Sequence, residues 1–178
     1  LAHLADLHAG YLGTVVYDDA NKRVLLVAVP QLRLSQVSNG GVGKFTFVMT
    51  GLDTAVTSLT TATAGVGVTS SAFAGTAGTA VSITQTPETG WPSTPVSAAC
   101  VDANGASNGN GTGPLGSLSG AVLSLPAGVV RAGADITCTF TNANNGISGV
   151  VFNDGGAPSG GVNSGTPNGY GDGGYVEQ

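Results

Sequence analysis

The sequence predicts an all-β protein, an antiparallel β-sandwich with extended terminal segments, and three observations support this fold class. Glycine supplies 30 of the 178 residues, far more than an average domain contains. Only 8% of the residues are charged, so Glu and Lys, which favour helices, are nearly absent, whereas Val and Thr, which favour strands, are frequent. Short apolar runs alternate with Gly, Pro and Asn-Gly pairs, which is typical of strands joined by turns.

The N-terminal part predicts two strands before the main body. Leu1, Leu4 and Leu7 have the spacing of a short helix that Gly10 would end. Residues 13–19 then form a strand with an acidic turn, and the apolar run 24–29 forms a second strand that Pro30 stops.

The next two strands, 32–37 and 44–49, alternate apolar and polar residues on either side of the turn sequence SNGGVG. Because Asn-Gly is a strong signal for a tight turn between paired strands, we predict that these two strands form a hairpin.

Further strands are predicted along the rest of the body, separated by a proline-rich loop at 85–95 and a polar loop at 104–116. These strands cover residues 55–61, 66–70, 79–84, 96–101, 118–125, 136–141 and 147–152. The tail 155–178 is glycine-rich and almost without apolar residues, so it cannot bury enough surface to order itself. We expect it to lie on its own domain or on a neighbouring molecule, anchored by Tyr170 and Tyr175.

One short pattern occurs twice. Residues 13–19 read GTVVYDD and residues 148–154 read SGVVFND, 135 positions later. Chance similarity between Val-rich strands explains the match, or both segments begin the same kind of unit. Since the chain starts with Leu, we expect a processed form or a fragment.

The two cysteines, Cys100 and Cys138, predict a disulfide, and two buried free thiols are the alternative. They lack CxxC spacing, and only His3 and His8 could join them as soft ligands, so we predict no zinc site. A disulfide implies an oxidising location, which is secreted, periplasmic or on the cell surface.

Charge and motifs exclude several functions. The net charge of −5 with five basic residues predicts no binding to nucleic acid or anionic membranes, and the longest apolar run, 24–30, is too short to span a bilayer. No nucleophile–base motif is present, and the spacing of the carboxylates does not indicate a pair suited to glycoside cleavage. These carboxylates are Asp53, Glu88, Asp102 and Asp135. We therefore predict no enzyme activity and no cofactor.

Four segments carry a resemblance to a known family, namely LRLSQVSNGGVGKFTFVMTGL at 32–52, SITQTPETGW at 82–91, SAACVDANG at 97–105 and LPAGVVRAGADITCTFTN at 125–142. They resemble the prealbumin-like domains of the SpaA/Cna-B-like class of bacterial surface proteins. The resemblance implies a prealbumin/Ig-like β-sandwich over residues 31–145 and a role in surface display, adhesion or pilus-like assembly. The flanking GTVVYDDAN and GISGVVFND resemble the opening strands of SdrD-B-like surface repeats.

Some relatives in this class carry a Lys–Asn isopeptide bond that an acidic residue assists. Position by position, the resemblance places the lysine site at Gln36, the acid at Gln85 and the asparagine at Asn142. Because a Gln amide cannot act as a nucleophilic amine, we expect no isopeptide bond and expect the disulfide to serve as the covalent link. Glu88, three residues from the acid position, is interpreted as a solvated loop carboxylate.

SdrD-B-like repeats can bind calcium through acidic turns, and this resemblance makes a few residues here candidates. They are Asp18, Asp19, Asn153, Asp154 and Asp172. No DxDxDG-like run occurs, so turn capping is the favoured interpretation, and we predict no metal site.

These observations predict a structural subunit of a bacterial extracellular filament, pilus-like fibre or surface array. Copies of the chain would assemble head-to-tail by β-strand addition, using residues 1–30 or 146–178 as elements between subunits. The candidate contacts in the second segment are Ile147, Val150, Val151, Phe152, Tyr170 and Tyr175. The alternative is an adhesin-type module that binds a glycan or a host protein through loops near Trp91 and 104–116. A lone Trp is more often part of a core.

Overall fold

The computed structural model describes residues 13–86 and 89–144, and nearly all regular elements in this part of the chain are strands. The strands are β1 (Gly13–Asp18), β2 (Arg23–Ala28), β3 (Gln31–Asn39), β4 (Lys44–Thr50), β5 (Val56–Thr60), β6 (Val68–Thr69), β7 (Phe73–Ala74), β8 (Val81–Thr86), β9 (Ser97–Asp102), β10 (Ser117–Ser119), β11 (Val122–Leu125) and β12 (Asp135–Ala143). A single helical turn, α1 (Gly105–Asn108), and a 3₁₀ turn at Ala127–Val129 complete them.

Two sheets form a sandwich, which confirms the predicted fold class. The front sheet has the strand order β10-β11-β8-β4-β5, and the back sheet has the order β6-β3-β12-β9 with β7 beside β3. The hairpin β1–β2 forms a separate two-stranded sheet. Neighbours are antiparallel except β3 and β12, which pair in parallel over nine residue pairs.

The core follows from the alternation along the central strands. In β3 and β12 every second side chain is buried, as expected for strands with one face on the core. Phe47 of the front sheet and Phe140 of the back sheet meet edge to face with ring centroids 5.1 Å apart. Apolar packing between the two sheets therefore holds the sandwich together.

The predicted hairpin between residues 32–37 and 44–49 is wrong. Both strands form, as β3 and β4, but they lie in different sheets. A two-residue turn of the type that Asn-Gly favours needs positive φ at both residues, and only Gly40, with φ of 83°, has it. A Cβ on Gly40 would lie 2.2 Å from the carbonyl oxygen of Asn144. Because glycine has no side chain, the chain after β12 can lie close to this turn.

Other elements differ in detail from the sequence prediction. The predicted strand 118–125 is divided by a turn at Gly120 into β10 and β11. The loop 104–116 contains the helical turn α1, and β7 was not predicted. The N-terminal helix, the strand 147–152 and the tail 155–178 lie outside the described residues.

Candidate functional site

The three positions that the resemblance singled out come together between the sheets. Gln36 on β3 and Asn142 on β12 belong to the back sheet, and Gln85 on β8 faces them from the front sheet. The exposed fractions of Gln36, Gln85 and Asn142 are 0%, 3% and 1%. Each follows the alternation of its strand and points into the core, so the fold places three primary amides at one buried point, which we call the amide triad.

Hydrogen bonds join the members of the amide triad in a closed set. Gln36 Nε2 donates to Asn142 Oδ1 at 2.9 Å and to the Val37 carbonyl at 2.7 Å. Gln85 Nε2 donates to Gln36 Oε1 and to Asn142 Oδ1, both at 2.9 Å. Asn142 Nδ2 donates back to Gln85 Oε1 at 3.0 Å. Because buried amides need partners, this network satisfies the three groups and links the two sheets.

The chemistry of the amide triad is non-covalent. An amide nitrogen delocalises its lone pair into the carbonyl group, so neither Gln is a nucleophile or an acid at ordinary pH. The arrangement brings together the three positions that the resemblance assigns to a bond-forming site but carries neither the amine nor the carboxyl group.

A hydroxyl pair forms further hydrogen bonds near the turn after β3. Ser38 Oγ lies 2.7 Å from Thr61 Oγ1 and 2.8 Å from the Gly41 carbonyl oxygen. The Gly43 N–H donates to Thr61 Oγ1 at 3.0 Å. These contacts hold the crossing between the two sheets at the end of the sandwich where β12 ends.

A single change in the amide triad is expected to be costly. Asn142→Leu removes the acceptor of two buried N–H groups and the donor to a third group, which leaves polar atoms unsatisfied. We expect a loss of about 2–4 kcal/mol in the free energy of unfolding, measured by urea titration. Thr139→Val, on the outward face of the same strand, serves as the control and should change it by less than about 0.5 kcal/mol. A loss as small as that of the control would contradict the structural role of the triad.

The structure joins Cys100 and Cys138 in a disulfide with an S–S distance of 2.04 Å. The two residues are direct cross-strand neighbours on β9 and β12, and both are completely buried. The disulfide and the amide triad therefore both involve β12, the last strand of the sandwich.

Asp102 organises a second polar cluster, which sequence reasoning did not find. Its carboxylate accepts hydrogen bonds from Asn108 Nδ2 at 2.6 Å, Asn110 Nδ2 at 2.8 Å, and the backbone N–H groups of Asn104 and Asp135, both at 2.9 Å. Burial alone would raise the pKa of this carboxyl, but these hydrogen bonds hold the pKa below its ordinary value. A signal was present in the run DANGASNGNG, since Asp and Asn side chains often bond backbone groups two residues on.

The cluster around Asp102 fixes the loop 104–116 to the body. Asn104 Nδ2 donates to the Gly133 carbonyl and Asn110 Nδ2 to the Val129 carbonyl. A Cβ on Gly105 would lie 1.9 Å from the carbonyl oxygen of Gly111, so the loop closes tightly upon itself.

Stability at low pH should depend on Asp102. Because its pKa is lower in the folded chain than in the unfolded chain, its ionised form stabilises the fold above pH 3.8, the ordinary value, and this contribution disappears as the pH falls through the folded pKa. We expect the Asp102→Asn chain to be less stable than the original chain at pH 7. The difference in stability between the two chains should become smaller as the pH falls below the ordinary pKa of the carboxyl group. Thermal unfolding of both chains at several pH values would measure this, and a constant difference between them would contradict it.

Within residues 13–86 and 89–144, the other carboxylates and aromatic residues form separate local contacts. Asp135 pairs with Arg33, and Asp19 with Lys22 at 2.5 Å. Trp91 packs edge to face on Phe45 with ring centroids 5.1 Å apart.

Trp91 lies near the end of the sandwich where β12 ends, whereas the loop 104–116 lies where β12 begins. The two parts of the proposed adhesin surface are therefore not brought together.

Several candidates lie outside the described residues, namely His3, His8, Glu88, Ile147, Val150, Val151, Phe152, Asn153, Asp154, Tyr170, Asp172 and Tyr175. Among residues 13–86 and 89–144, no group of three or more His, Cys, Asp or Glu side chains could hold a metal ion. In the same part of the chain, no helix has the length and apolar character needed to cross a membrane.

The comparison with family models agrees with the architecture. A family model described as a prealbumin-like fold domain matches residues 32–144. A crystal structure of a mutant major pilin from Streptococcus pyogenes is similar at 9% identity and a TM-score of 0.30, covering 74% of this chain and 60% of the pilin. No curated protein sequence matches. The family match does not include the segments 13–19 and 148–154, whose resemblance to SdrD-B-like repeats stays a prediction.

Proposed function

Because the chain belongs to the prealbumin-like fold domain family, we propose that it is a structural subunit of a bacterial extracellular filament, pilus-like fibre or surface array. Copies of the chain assemble head-to-tail, and strand addition between copies joins them. The subunit acts by holding its shape between two attachment points.

The observation that carries this proposal is the parallel pairing of β3 and β12. The body begins at Gln31 and ends at Ala143, and Gln31 pairs with Asp135 while Asn39 pairs with Ala143. The chain therefore enters the sandwich at one end and leaves it at the other, separated by roughly 26 Å of strand. A unit with its two connections at opposite ends is suited to a linear series.

The same geometry suits a part that carries tension. A pull on the two ends of the sandwich loads β3 and β12, whose ladder of nine residue pairs is sheared along its length. The amide triad links both strands to the front sheet, and the disulfide links β12 to β9.

The disulfide and the surface also support an extracellular role. A disulfide between buried cysteines is expected to persist in an oxidising environment. The low content of charged residues, 8%, permits uncharged surfaces to pack between subunits with little repulsion.

Electron microscopy of the purified chain tests the proposal. We expect filaments from the full chain and a folded, disulfide-bonded monomer from a chain shortened to remove residues 146–178. The melting temperature of the shortened chain serves as its folding control. A full chain that stays monomeric at all concentrations would overturn the proposal.

A further inference from the structure

Within the two sheets of the sandwich, β5 has the longest edge without a hydrogen-bonded neighbour. The edge strands β6, β7 and β10 have two or three residues, and β9 exchanges backbone hydrogen bonds with Leu115 at Cys100. β5 has five residues, Val56–Thr60, and pairs with β4 on one side only.

The register shows which backbone groups of β5 are free to pair. The Met49 N–H donates to the Ala55 carbonyl and the Thr61 N–H to the Gly43 carbonyl. Because hydrogen-bonded and non-hydrogen-bonded pairs alternate in an antiparallel ladder, Thr57 and Leu59 also bond to β4. The N–H and C=O groups of Val56, Ser58 and Thr60 therefore point away from the sheet.

The side chains at this edge favour an added strand. Val56 is 57% exposed and lies directly opposite Val48, which is also exposed, so the pair forms an apolar strip beside the edge. β5 contains neither Pro nor a charged residue. Proteins commonly use these two kinds of residue to block the free edge of a strand. An incoming strand would gain backbone hydrogen bonds and cover apolar surface at once.

We propose that residues 147–152 of a second copy of this chain add to the free edge of β5, an inference that rests on the proposed function and names its contact. Residues 148–152 of this segment repeat the pattern of residues 13–17, and that first occurrence lies in the strand β1, which pairs with β2. The segment has six residues and β5 has five. In an added strand, Val150, Val151 and Phe152 would place apolar side chains on both faces.

The chain length favours a second copy over the same chain. Only residues 145 and 146 separate Asn144 from Ile147, and this connection spans at most about 11 Å. β12 is separated from the β5 side by β3 and β6 in the back sheet. Two strand spacings and the perpendicular distance between the sheets correspond to a straight-line distance of about 14 Å, which exceeds that reach.

Cross-linking identifies the occupant. A full chain with Ser58→Cys is mixed with a full chain carrying Val150→Cys under mild oxidation, and the bonded peptides are identified by mass spectrometry without reduction. Neighbouring strands bring Cα atoms within disulfide range, so we expect a 58–150 bond between chains. A double variant that forms this bond only within one chain would overturn the proposal, as would the absence of any such bond.

Blocking the edge tests its role in assembly. Ser58→Pro removes an N–H that has no partner within the sheet, and Ser58→Ala is its matched control. Val56→Lys is a second blocking variant that keeps the backbone intact, with Val101→Lys, at a valine 52% exposed on β9, as control. We expect both blocking variants to lose filaments and both controls to keep them, with unchanged melting temperatures for Val56→Lys and its control.

The outcomes separate this inference from the proposed function. Filaments that persist in both blocking variants and show no 58–150 bond would overturn the β5 contact and leave the filament proposal standing. A 58–150 bond between chains without filaments would support the contact and contradict the filament proposal.

Discussion

A chain with Gln36→Lys and Gln85→Glu is expected to lose one molecule of ammonia and to gain a covalent bond between β3 and β12. Gln36 Nε2 already lies 2.9 Å from Asn142 Oδ1, and a lysine amine extends one bond further. Burial favours the neutral forms of both introduced groups. The carboxylic acid would take the place of Gln85 Nε2, which donates to Asn142 Oδ1 at 2.9 Å, and would polarise that carbonyl group.

The expected step is balanced within the protein. The introduced amine attacks Cγ of Asn142, the new C–N bond forms, and the bond from Cγ to Nδ2 breaks. The carboxyl group gives one proton to the leaving nitrogen, which departs as ammonia, and takes one proton from the attacking nitrogen. A bond that closes the loop from residue 36 to residue 142 is expected to stabilise the fold by about 4–5 kcal/mol, by analogy with a disulfide.

Intact mass spectrometry and thermal unfolding check this prediction. Gln36→Lys alone lacks the acid and serves as one control, and the triple variant with Asn142→Ala lacks the acceptor and serves as the second. A double variant whose mass equals that of its residues, less only the hydrogens of the disulfide, would show that the geometry of the amide triad does not suffice for bond formation. The intact mass of the unsubstituted chain should show no loss of ammonia.

Removal of the disulfide is expected to have the second large effect. Cys100→Ala with Cys138→Ala opens a loop of 38 residues, and the chain-entropy model predicts a loss of about 4 kcal/mol in the free energy of unfolding. Because both cysteines are buried, the two small alanines also leave space in the core, which adds to the loss.

Denaturant titration of oxidised, reduced and substituted chains separates these two contributions. The reduced chain loses only the covalent link, whereas the substituted chain loses the link and the packing of the sulfur atoms. Reduction that leaves the unfolding midpoint unchanged would contradict a stabilising role for the disulfide.

The local pattern of the sequence predicts much of the sandwich. The segment around Gln36 alternates strictly, and the structure buries the residues that the alternation assigns to one face. The same alternation points Gln85 and Asn142 inward. Since side chains alternate between the two faces of any strand, neighbours along the chain suffice for this assignment.

Strand pairing could not be predicted in the same way. The Asn-Gly turn after β3 favours a hairpin with β4, yet β3 pairs with β12 instead. The cluster at Asp102 likewise depends on a contact with the N–H of Asp135, 33 positions away. Packing across the whole domain determines which strands and side chains become partners. The local preference of the Asn-Gly sequence for a turn does not outweigh this packing.

The sequence by itself determined the all-β class, the inward positions of the three amides and the low charge of the surface, because composition and a period of two residues act locally. Only the tertiary structure decided that Gln36 meets Asn142 across 106 positions, that the chain enters and leaves at opposite ends, and that β5 is left with a free edge. These features depend on which strands become neighbours, and that choice is made by the burial of both sheets together.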